Sequence, residues 1–310
     1  MDVPPPSLDA TAVLPADLEH GYTHGPRPRL HYVTTGMGQP VLLLHGFPDY
    51  WYGWRHQLGP LAAAGYRVVA PDQRGYNRSD KPRPVRAYRL DALADDVLRL
   101  ADEVAPGQPI ALVGHDWGGV VAWWIALRHP ERLSRLVIIN APHPEARSNP
   151  RRVLAQMRRS WYIAFFQIPW LPAWLLSRNG FWGLERALRA SSHAGAFAER
   201  DLVHYREAWA YPGALPSMLN WYRALIRYPA RPPHSRVSVP TLILWGAQDV
   251  ALGRELAEPS LDLCDDGHLV FFAHASHWPH DEEPTRVNNL LLGFLEGNDA
   301  TVEADHLSYS

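Results

Sequence analysis

Sulfur is scarce in this chain. Of 310 residues one is cysteine, Cys264, so no intrachain disulfide can form. That absence suits a reducing compartment and predicts a cytoplasmic location. No histidine or basic residue adjoins Cys264, so it reads as a small buried residue rather than a reactive thiol. An excess of either charge is also missing: the formal net charge is −2, which gives no reason to expect a nucleic acid or an anionic membrane as partner. No apolar run is long enough to span a membrane. The first 30 residues lack a charged start followed by an apolar core, so no signal peptide is expected. What is abundant is Trp, with 13, and Pro, with 29. The tryptophans gather at 51–54, 117–124, 161–182 and 209–221, a distribution that predicts an aromatic-lined cavity.

Short continuous apolar runs recur along the chain, the mark of strands buried on both faces. They are Val41–Leu44, Tyr66–Ala70, Ile110–Val113 and Leu136–Asn140, with helical patterns between them at Trp51–Ala64 and from Leu90 onward. A weak alternation over Tyr22–Thr35 predicts a hairpin. Strand and helix in this order predict an α/β fold, a mostly parallel sheet with helices on both faces. The rhythm breaks after Ala141. Residues 142–236 hold helical patterns rich in Trp, Tyr, Phe and Arg and punctuated by proline, and strands resume at Thr241–Trp245 and His268–Phe272. A last helix is expected over Glu283–Leu295. The expected organisation is a core in two parts, 1–141 and 237–296, an inserted helical cap, 142–236, and a flexible tail, 297–310. Residues 1–17 read as a loose Pro-rich arm. The cluster Arg147, Arg151, Arg152, Arg158 and Arg159 reads as the wet face of a cap helix.

The chemistry centres on Gly114-His115-Asp116-Trp117-Gly118-Gly119, which follows a buried strand and leads into the apolar segment Val120–Leu127. This is the strand–turn–helix context of the G-x-S-x-G nucleophile elbow with Asp in place of Ser. The glycines are expected to permit the tight turn. A carboxylate lifted clear of the sheet can attack carbon and form an ester. The ester must then be hydrolysed, which calls for a base, usually His, and for a second carboxylate to orient that base. Catalytic groups of such sheets lie past the carboxyl ends of strands. Asp249 follows the strand Thr241–Trp245, and His277 follows the strand His268–Phe272. Asp262, Asp265 and Asp266 precede that last strand and lie at its wrong end, while His274 and His280 are the competitors of His277. Asp116, Asp249 and His277 thus stand in the nucleophile–acid–base order of α/β-hydrolases.

From about Tyr22 to Leu295 the chain resembles the epoxide hydrolase branch of the α/β-hydrolase superfamily. The motifs that carry the resemblance are His45-Gly46-Phe47-Pro48, Arg74-Gly75-Tyr76, the Asp elbow, Asn140-Ala141-Pro142-His143 and Asn220-Trp221-Tyr222-Arg223. The resemblance implies two cap tyrosines that hydrogen-bond an epoxide oxygen. Tyr222 lies in the NWYR match, and Tyr162 begins a segment similar to the one that carries the other. Opening the ring leaves an alkoxide that two phenols can serve. The oxyanion donors are expected to be the backbone N–H groups of Phe47 and Trp117. The resemblance also implies a cis Phe47–Pro48 bond. Phe47, Trp117 and Phe166 are the expected pocket residues. Ser276-His277 departs mildly from the Gly-His common in the family.

The expected reaction is hydrolysis of a small apolar or aromatic epoxide to a vicinal diol, with water as the second substrate and with no metal, organic cofactor, nucleic acid or membrane implied. Whether the chain forms a homo-oligomer is left open. A haloacetate or haloalkane dehalogenase with the same triad is the nearest rival, although it would need a halide site rather than two phenols. A ligand-binding receptor on a retired hydrolase scaffold is remoter, since all three triad members are present. Asp at the elbow argues against ordinary acyl-enzyme ester or lactone hydrolysis.

Overall fold

The apolar runs form the strands of one eight-stranded sheet. The computed structural model describes residues 14–147, 156 and 158–298. The strands are β1 (Glu19–Tyr22), β2 (His31–Thr35), β3 (Gln39–Leu44), β4 (Tyr66–Pro71), β5 (Ile110–His115), β6 (Leu133–Ile139), β7 (Thr241–Gly246) and β8 (Gly267–Phe272). Their order across the sheet is β1-β2-β4-β3-β5-β6-β7-β8. The hairpin β1–β2 and the pair β2–β4 are antiparallel, and every other neighbour is parallel. Val41 to Leu44 and Leu112 and Val113 have no exposed surface, as the central strands of a sheet covered on both faces must.

The helices flanking the sheet begin with α1 (Arg55–Ala63), α2 (Leu90–Val104) and α3 (Trp117–Arg128). Among the described residues between β6 and β7 are α4 (Trp161–Phe166), α5 (Leu171–Ala190), α6 (Glu199–Trp209) and α7 (Ala214–Arg227). After β7 come α8 (Ala257–Leu261), α9 (Pro279–Glu282) and α10 (Pro284–Leu295). α2 packs on α3, and α1 packs on α10. Trp51–Trp54, expected as the start of α1, is a separate 3-10 turn before it.

The helical insertion is tied to the sheet by long-range hydrogen bonds. The Trp209 indole donates to the Pro48 carbonyl at 2.6 Å, the Tyr205 hydroxyl to Asp49 Oδ1 at 2.9 Å, and the Trp221 indole to the Arg74 carbonyl at 2.9 Å. Two of these three land on the loop after β3, which also carries Phe47.

Some local expectations change. β5 runs one residue past Gly114, to His115, and α3 begins at Trp117, so the reversal falls on Asp116 alone. Gly118 and Gly119 sit inside the first turn of α3. Their smallness serves close approach instead of the turn: a Cβ on Gly118 would lie 2.1 Å from the Leu44 carbonyl oxygen, and one on Gly119 would lie 2.4 Å from the Ala141 Cβ. Backbone cannot yield there as a side chain can. Gly118→Ala is expected to destabilise the fold by about 3 kcal/mol, read as a lower urea midpoint with an unchanged slope.

At the N-terminal end, Asp17 accepts hydrogen bonds from Thr35 Oγ1 at 2.7 Å and from the Gly36 amide at 3.2 Å. Residues 14–17 are therefore anchored, and the rest of the expected arm lies outside the described residues. The amides of Gly297 and Asn298 donate to the Phe294 and Gly293 carbonyls, so the first two residues of the expected tail close α10. The remainder, 299–310, lies outside the described residues, as do Arg151 and Arg152 of the basic cluster. Cys264 is buried, which pushes its thiol up to about 12 and leaves it little nucleophilic thiolate.

Candidate active site

Three strand ends and one loop bring the expected groups together. Asp116 follows β5 and holds φ 50° and ψ −116°, a left-handed backbone that costs about 1–3 kcal/mol. The turn is held by the bonds around it: the Asp116 amide donates to the Ile139 carbonyl at 3.2 Å, and its carbonyl accepts from the Val120 amide at 3.0 Å. The side chain thereby projects past the sheet at the N-terminus of α3, where the helix dipole favours a carboxylate.

One oxygen of Asp116, Oδ1, accepts a hydrogen bond from the Phe47 amide at 2.9 Å. The other, Oδ2, lies 3.6 Å from His277 Nε2. The two oxygens are thus distinguished by their partners. Burial opposes the charge on Asp116, but His277 outweighs it and holds the carboxyl below the ordinary range. The Phe47–Pro48 bond that shapes the loop is cis. His45 braces the same loop, its Nε2 accepting from the Gln73 amide at 2.9 Å, and burial holds its imidazole down to about 4, in the neutral form.

His277 Nδ1 lies 2.7 Å from Asp249 Oδ2. Burial works against a charge on this imidazole, yet Asp249 and Asp116 together raise it to about 10. Asp249 has every acceptor site committed. Its Oδ1 takes the amides of Ala251 and Leu252 at 2.7 and 2.9 Å, and its Oδ2 takes the Asn140 side-chain amide at 2.7 Å. These donors, with His277, overcome the burial penalty and keep it ionised.

Asn140 was seen in the sequence only as part of a motif. It sits at the end of β6 with φ 45°, and its Oδ1 accepts the Gly246 amide at 2.9 Å while its amide serves Asp249. It orients the carboxylate that faces His277. Asn140→Ala is expected to lower kcat by roughly 10- to 100-fold, the loss of one hydrogen bond to a buried charge, with KM little changed; Asn140→Asp would distinguish this from bulk, because a second carboxylate there raises the apparent base pKa in the pH profile.

Ser276, the departure from Gly-His, is used. Its amide donates to Glu282 Oε2 at 2.6 Å, and its one hydroxyl proton is shared between Glu282 Oε1 at 2.6 Å and the Ser191 carbonyl of the insertion at 2.8 Å. The histidine loop is therefore tied both to α9 and to the insertion. His280 is not an alternative base. It has no exposed surface, and burial holds it well below the ordinary histidine range.

Tyr222 and Tyr162 come from α7 and α4, and their ring centroids are 5.8 Å apart. Tyr222 meets the rings of Phe47, Trp117 and Phe166 at 5.3, 5.1 and 5.0 Å. The Trp117 and Tyr222 rings meet edge to face, at 85°. Burial, then Tyr162 and Asp116, hold the Tyr222 phenol well above the ordinary range, so it keeps its proton. All the expected site residues thus fall in one neighbourhood. The tryptophans of 161–182 do not: Trp161, Trp170, Trp174 and Trp182 face outward, and the aromatic enclosure is made instead by Phe47, Trp117, Tyr162, Phe166 and Tyr222.

Among the described residues one group could offer three ligand atoms to a metal. Asp49, His115 and His280, all buried, bring theirs within 4.8 Å of one another. Asp49 Oδ1 accepts the Tyr50 amide at 2.7 Å and the Tyr205 hydroxyl at 2.9 Å, while its Oδ2 is buried without a hydrogen-bond partner.

A mostly parallel sheet with an acid at the elbow, a histidine after the last strand and a second acid after the strand before it defines a hydrolase of the α/β class. Comparison with known proteins narrows this. The family described as alpha/beta hydrolase fold matches residues 39–284, and the chain belongs to it. The chain is 44% identical over 270 residues to the AB hydrolase superfamily protein YfhM of Bacillus subtilis (strain 168), a match covering 86% of this chain and 94% of that one. It is 39% identical over 280 residues to human Epoxide hydrolase 4, covering 86% and 76%. An epoxide hydrolase of Bacillus megaterium, solved with an inhibitor, superposes with a TM-score of 0.80 at 31% identity, covering 89% of this chain and all of that one, 100%. Within its family the chain falls in the epoxide hydrolase branch, and it is a hydrolase.

Proposed function

We propose that the protein hydrolyses an epoxide to a vicinal diol through a covalent ester on Asp116. The observation that carries the reading is a carboxylate faced by protonated phenol. Phe47 holds Asp116 through its amide, and its ring and that of Trp117, next to Asp116, both meet the ring of Tyr222.

In the first step Asp116 Oδ2 attacks a ring carbon. The carbon–oxygen bond of the epoxide breaks, and the departing oxygen takes a proton from Tyr222 or Tyr162. In the second step water adds to the ester carbonyl from the His277 side. His277 Nε2 takes the water proton, and the oxyanion that forms at Oδ1 is met by the amides of Phe47 and Trp117. Before water adds, the proton that His277 sheds on esterification returns to the phenolate. On collapse the ester bond breaks and the departing alkoxide takes the proton of the new carboxyl. The diol leaves with the carboxylate restored and His277 again charged by the proton it took from water. Residues 142–236 serve as the lid over a core made of 1–141 and 237–296. An apolar or aromatic epoxide suits the rings of Phe47, Trp117 and Phe166.

Consumption of charge couples the two steps. While Asp116 is ionised, two carboxylates hold a proton on His277, raised to about 10. Esterification removes one of them. The imidazole then falls toward neutrality and becomes the base just when water needs one. A dehalogenase reading is weaker because the group that meets Trp117 and Phe47 beside Asp116 is the Tyr222 phenol, which keeps its proton for a departing oxygen.

The test is a single turnover in oxygen-18 water with enzyme in excess over styrene oxide. The first diol is expected to be unlabelled and the label to reside on Asp116, located by mass spectrometry of the peptide. A labelled first diol would mean direct attack by water. Halide release from a haloalkane, with no diol from any epoxide, would move the protein to the rival chemistry.

A further inference from the structure

The insertion turns an unusual amount of aromatic surface to solvent. Trp161, Trp170, Trp174 and Trp182 are 68%, 74%, 48% and 57% exposed, and Ile168, Leu175 and Ile226 add aliphatic area. Single exposed apolar residues are ordinary, but a cluster of this kind marks an interaction surface.

The backbone gathers these side chains. α5 is broken at Arg178, and Asn179, Gly180 and Phe181 take left-handed φ of 50°, 67° and 66°. The chain doubles back there. A Cβ on Gly183 would lie 3.1 Å from Leu176 Cδ2 and 3.6 Å from the Leu175 carbonyl, so the second half of α5 packs on the first. Trp182 thereby returns to the level of Trp174 and Leu175. On the other side, Arg223 of α7 donates to the carbonyls of Phe166 and Ile168 at 3.0 Å each, which sets Ile226 and Arg227 beside that segment.

The charge around the tryptophans is weighted to the basic side, although Arg159 is paired with Glu255 and Arg189 with Glu185 and Glu199. Between 158 and 190 the chain carries five arginines and a single acid, Glu185. Glu185 is already taken by Arg189 and Arg206, at 3.0 and 2.7 Å. Arg178 lies over the Trp174 ring at 4.5 Å and Arg186 over the Trp182 ring at 5.4 Å. Neither makes an ion pair among the described residues. The net charge of the whole chain, −2, conceals this local excess.

We propose that this face is a membrane-contact surface that docks the protein on anionic lipid bilayers. The rings of Trp170, Trp174 and Trp182 sit at headgroup level, where an amphipathic indole is most stable. Arg178 and Arg186 meet lipid phosphates, and each basic residue near such a surface adds to the attraction. A second copy is the poorer occupant, because two-fold pairing sets the same patch against itself and opposes arginine to arginine. No helix among the described residues is long and apolar enough to cross a membrane, so contact is at the surface. α4 spans the distance to the site, with Trp161 outward and Phe166 inward, 5% exposed. An apolar molecule dissolved in the bilayer would approach from that side. The docking itself does not rest on which reaction the site performs.

The test needs no substrate. The full chain is mixed with sucrose-loaded vesicles of phosphatidylcholine alone or of phosphatidylcholine with phosphatidylglycerol, and the bound fraction is read by sedimentation. Binding to the phosphatidylglycerol vesicles is expected to be about tenfold tighter and to weaken as salt is raised. Combined Trp170→Ser, Trp174→Ser and Trp182→Ser is expected to weaken it by about tenfold or more. Arg178→Glu with Arg186→Glu is expected to remove the preference for the anionic lipid. An unchanged urea midpoint shows that each variant is folded. Wild-type protein that stays in solution with both vesicles overturns the proposal. So does a concentration-dependent dimer that the same tryptophan substitutions dissolve without any vesicle binding.

Discussion

Asp116→Ala is expected to lower turnover of any epoxide by roughly 10⁵- to 10⁶-fold, the scale seen when a covalent nucleophile is removed from an intact site. The loss should fall on kcat, because the aromatic groups that hold an apolar substrate are untouched. The remaining site still contains His277 oriented by Asp249 and two phenols, which could in principle direct water at the epoxide. It is badly arranged for that. His277 Nε2 faces the Asp116 oxygen at 3.6 Å, so it addresses the ester carbonyl and not a ring carbon on the far side of it. Residual activity near the wild-type level would therefore assign attack to water and refute the covalent route. Folding is checked separately, since alanine at φ 50° has no short polar side chain to satisfy the turn. The urea midpoint should stay close to that of the wild type, because the Asp249–His277 pair and the backbone bonds of the turn survive. His277 should titrate lower in this variant, as one of its two carboxylates is gone, and an NMR titration of its ring would show it.

The placing of Asp116, Asp249 and His277 side by side was legible in the sequence because each follows a strand that announces itself. Val41–Leu44, Ile110–Val113, Thr241–Trp245 and His268–Phe272 are apolar on both faces, and in a parallel sheet the residue after such a run stands where reaction chemistry is built. Asn140 satisfied the same rule at the end of β6, yet its role went unread. An amide carries no titration signature, and its partner Asp249 lies 109 positions away. Gly118 was expected to permit the tight turn, although its reason is the Leu44 carbonyl beneath it, a contact between segments that share no local pattern. The same applies to Tyr205 and Trp209, which hold the insertion against the loop after β3. The outward tryptophans expose the limit of composition: Trp density predicted an enclosure, while Trp161, Trp170, Trp174 and Trp182, four of the thirteen, lie at the surface. Arg178 and Arg186, stacked on two of those rings, were the available sequence sign that this stretch meets water.

His277→Gln is expected to separate the two chemical steps. Attack by Asp116 does not need a base, so the ester should still form, and the phenols can still protonate the departing oxygen. Hydrolysis then lacks its proton acceptor, and the ester should persist about 10²- to 10⁴-fold longer than in the wild type. Mixed with excess epoxide, the variant should consume one equivalent of epoxide, release almost no diol, and gain the mass of one substrate molecule, located on Asp116. The direction of the pH dependence follows from the charges. In the free wild-type site His277, raised to about 10, is protonated at neutral pH, and Asp116, held below the ordinary range, is ionised. Ester formation therefore holds its rate as pH falls, until Asp116 takes a proton. Ester hydrolysis needs the neutral imidazole, and with Asp116 esterified only Asp249 supports the proton. That step should quicken as pH rises through the ester-state pKa, which lies below that of the free enzyme. Wild-type ester should accumulate on the acid side and vanish on the alkaline side, whereas the glutamine variant should show ester across the range with no such limb. A His277→Gln protein that turns over steadily, with no adduct at any pH, would place the base elsewhere. The burial of His280 and its position beside His115 leave no other histidine facing Asp116 at comparable distance among the described residues.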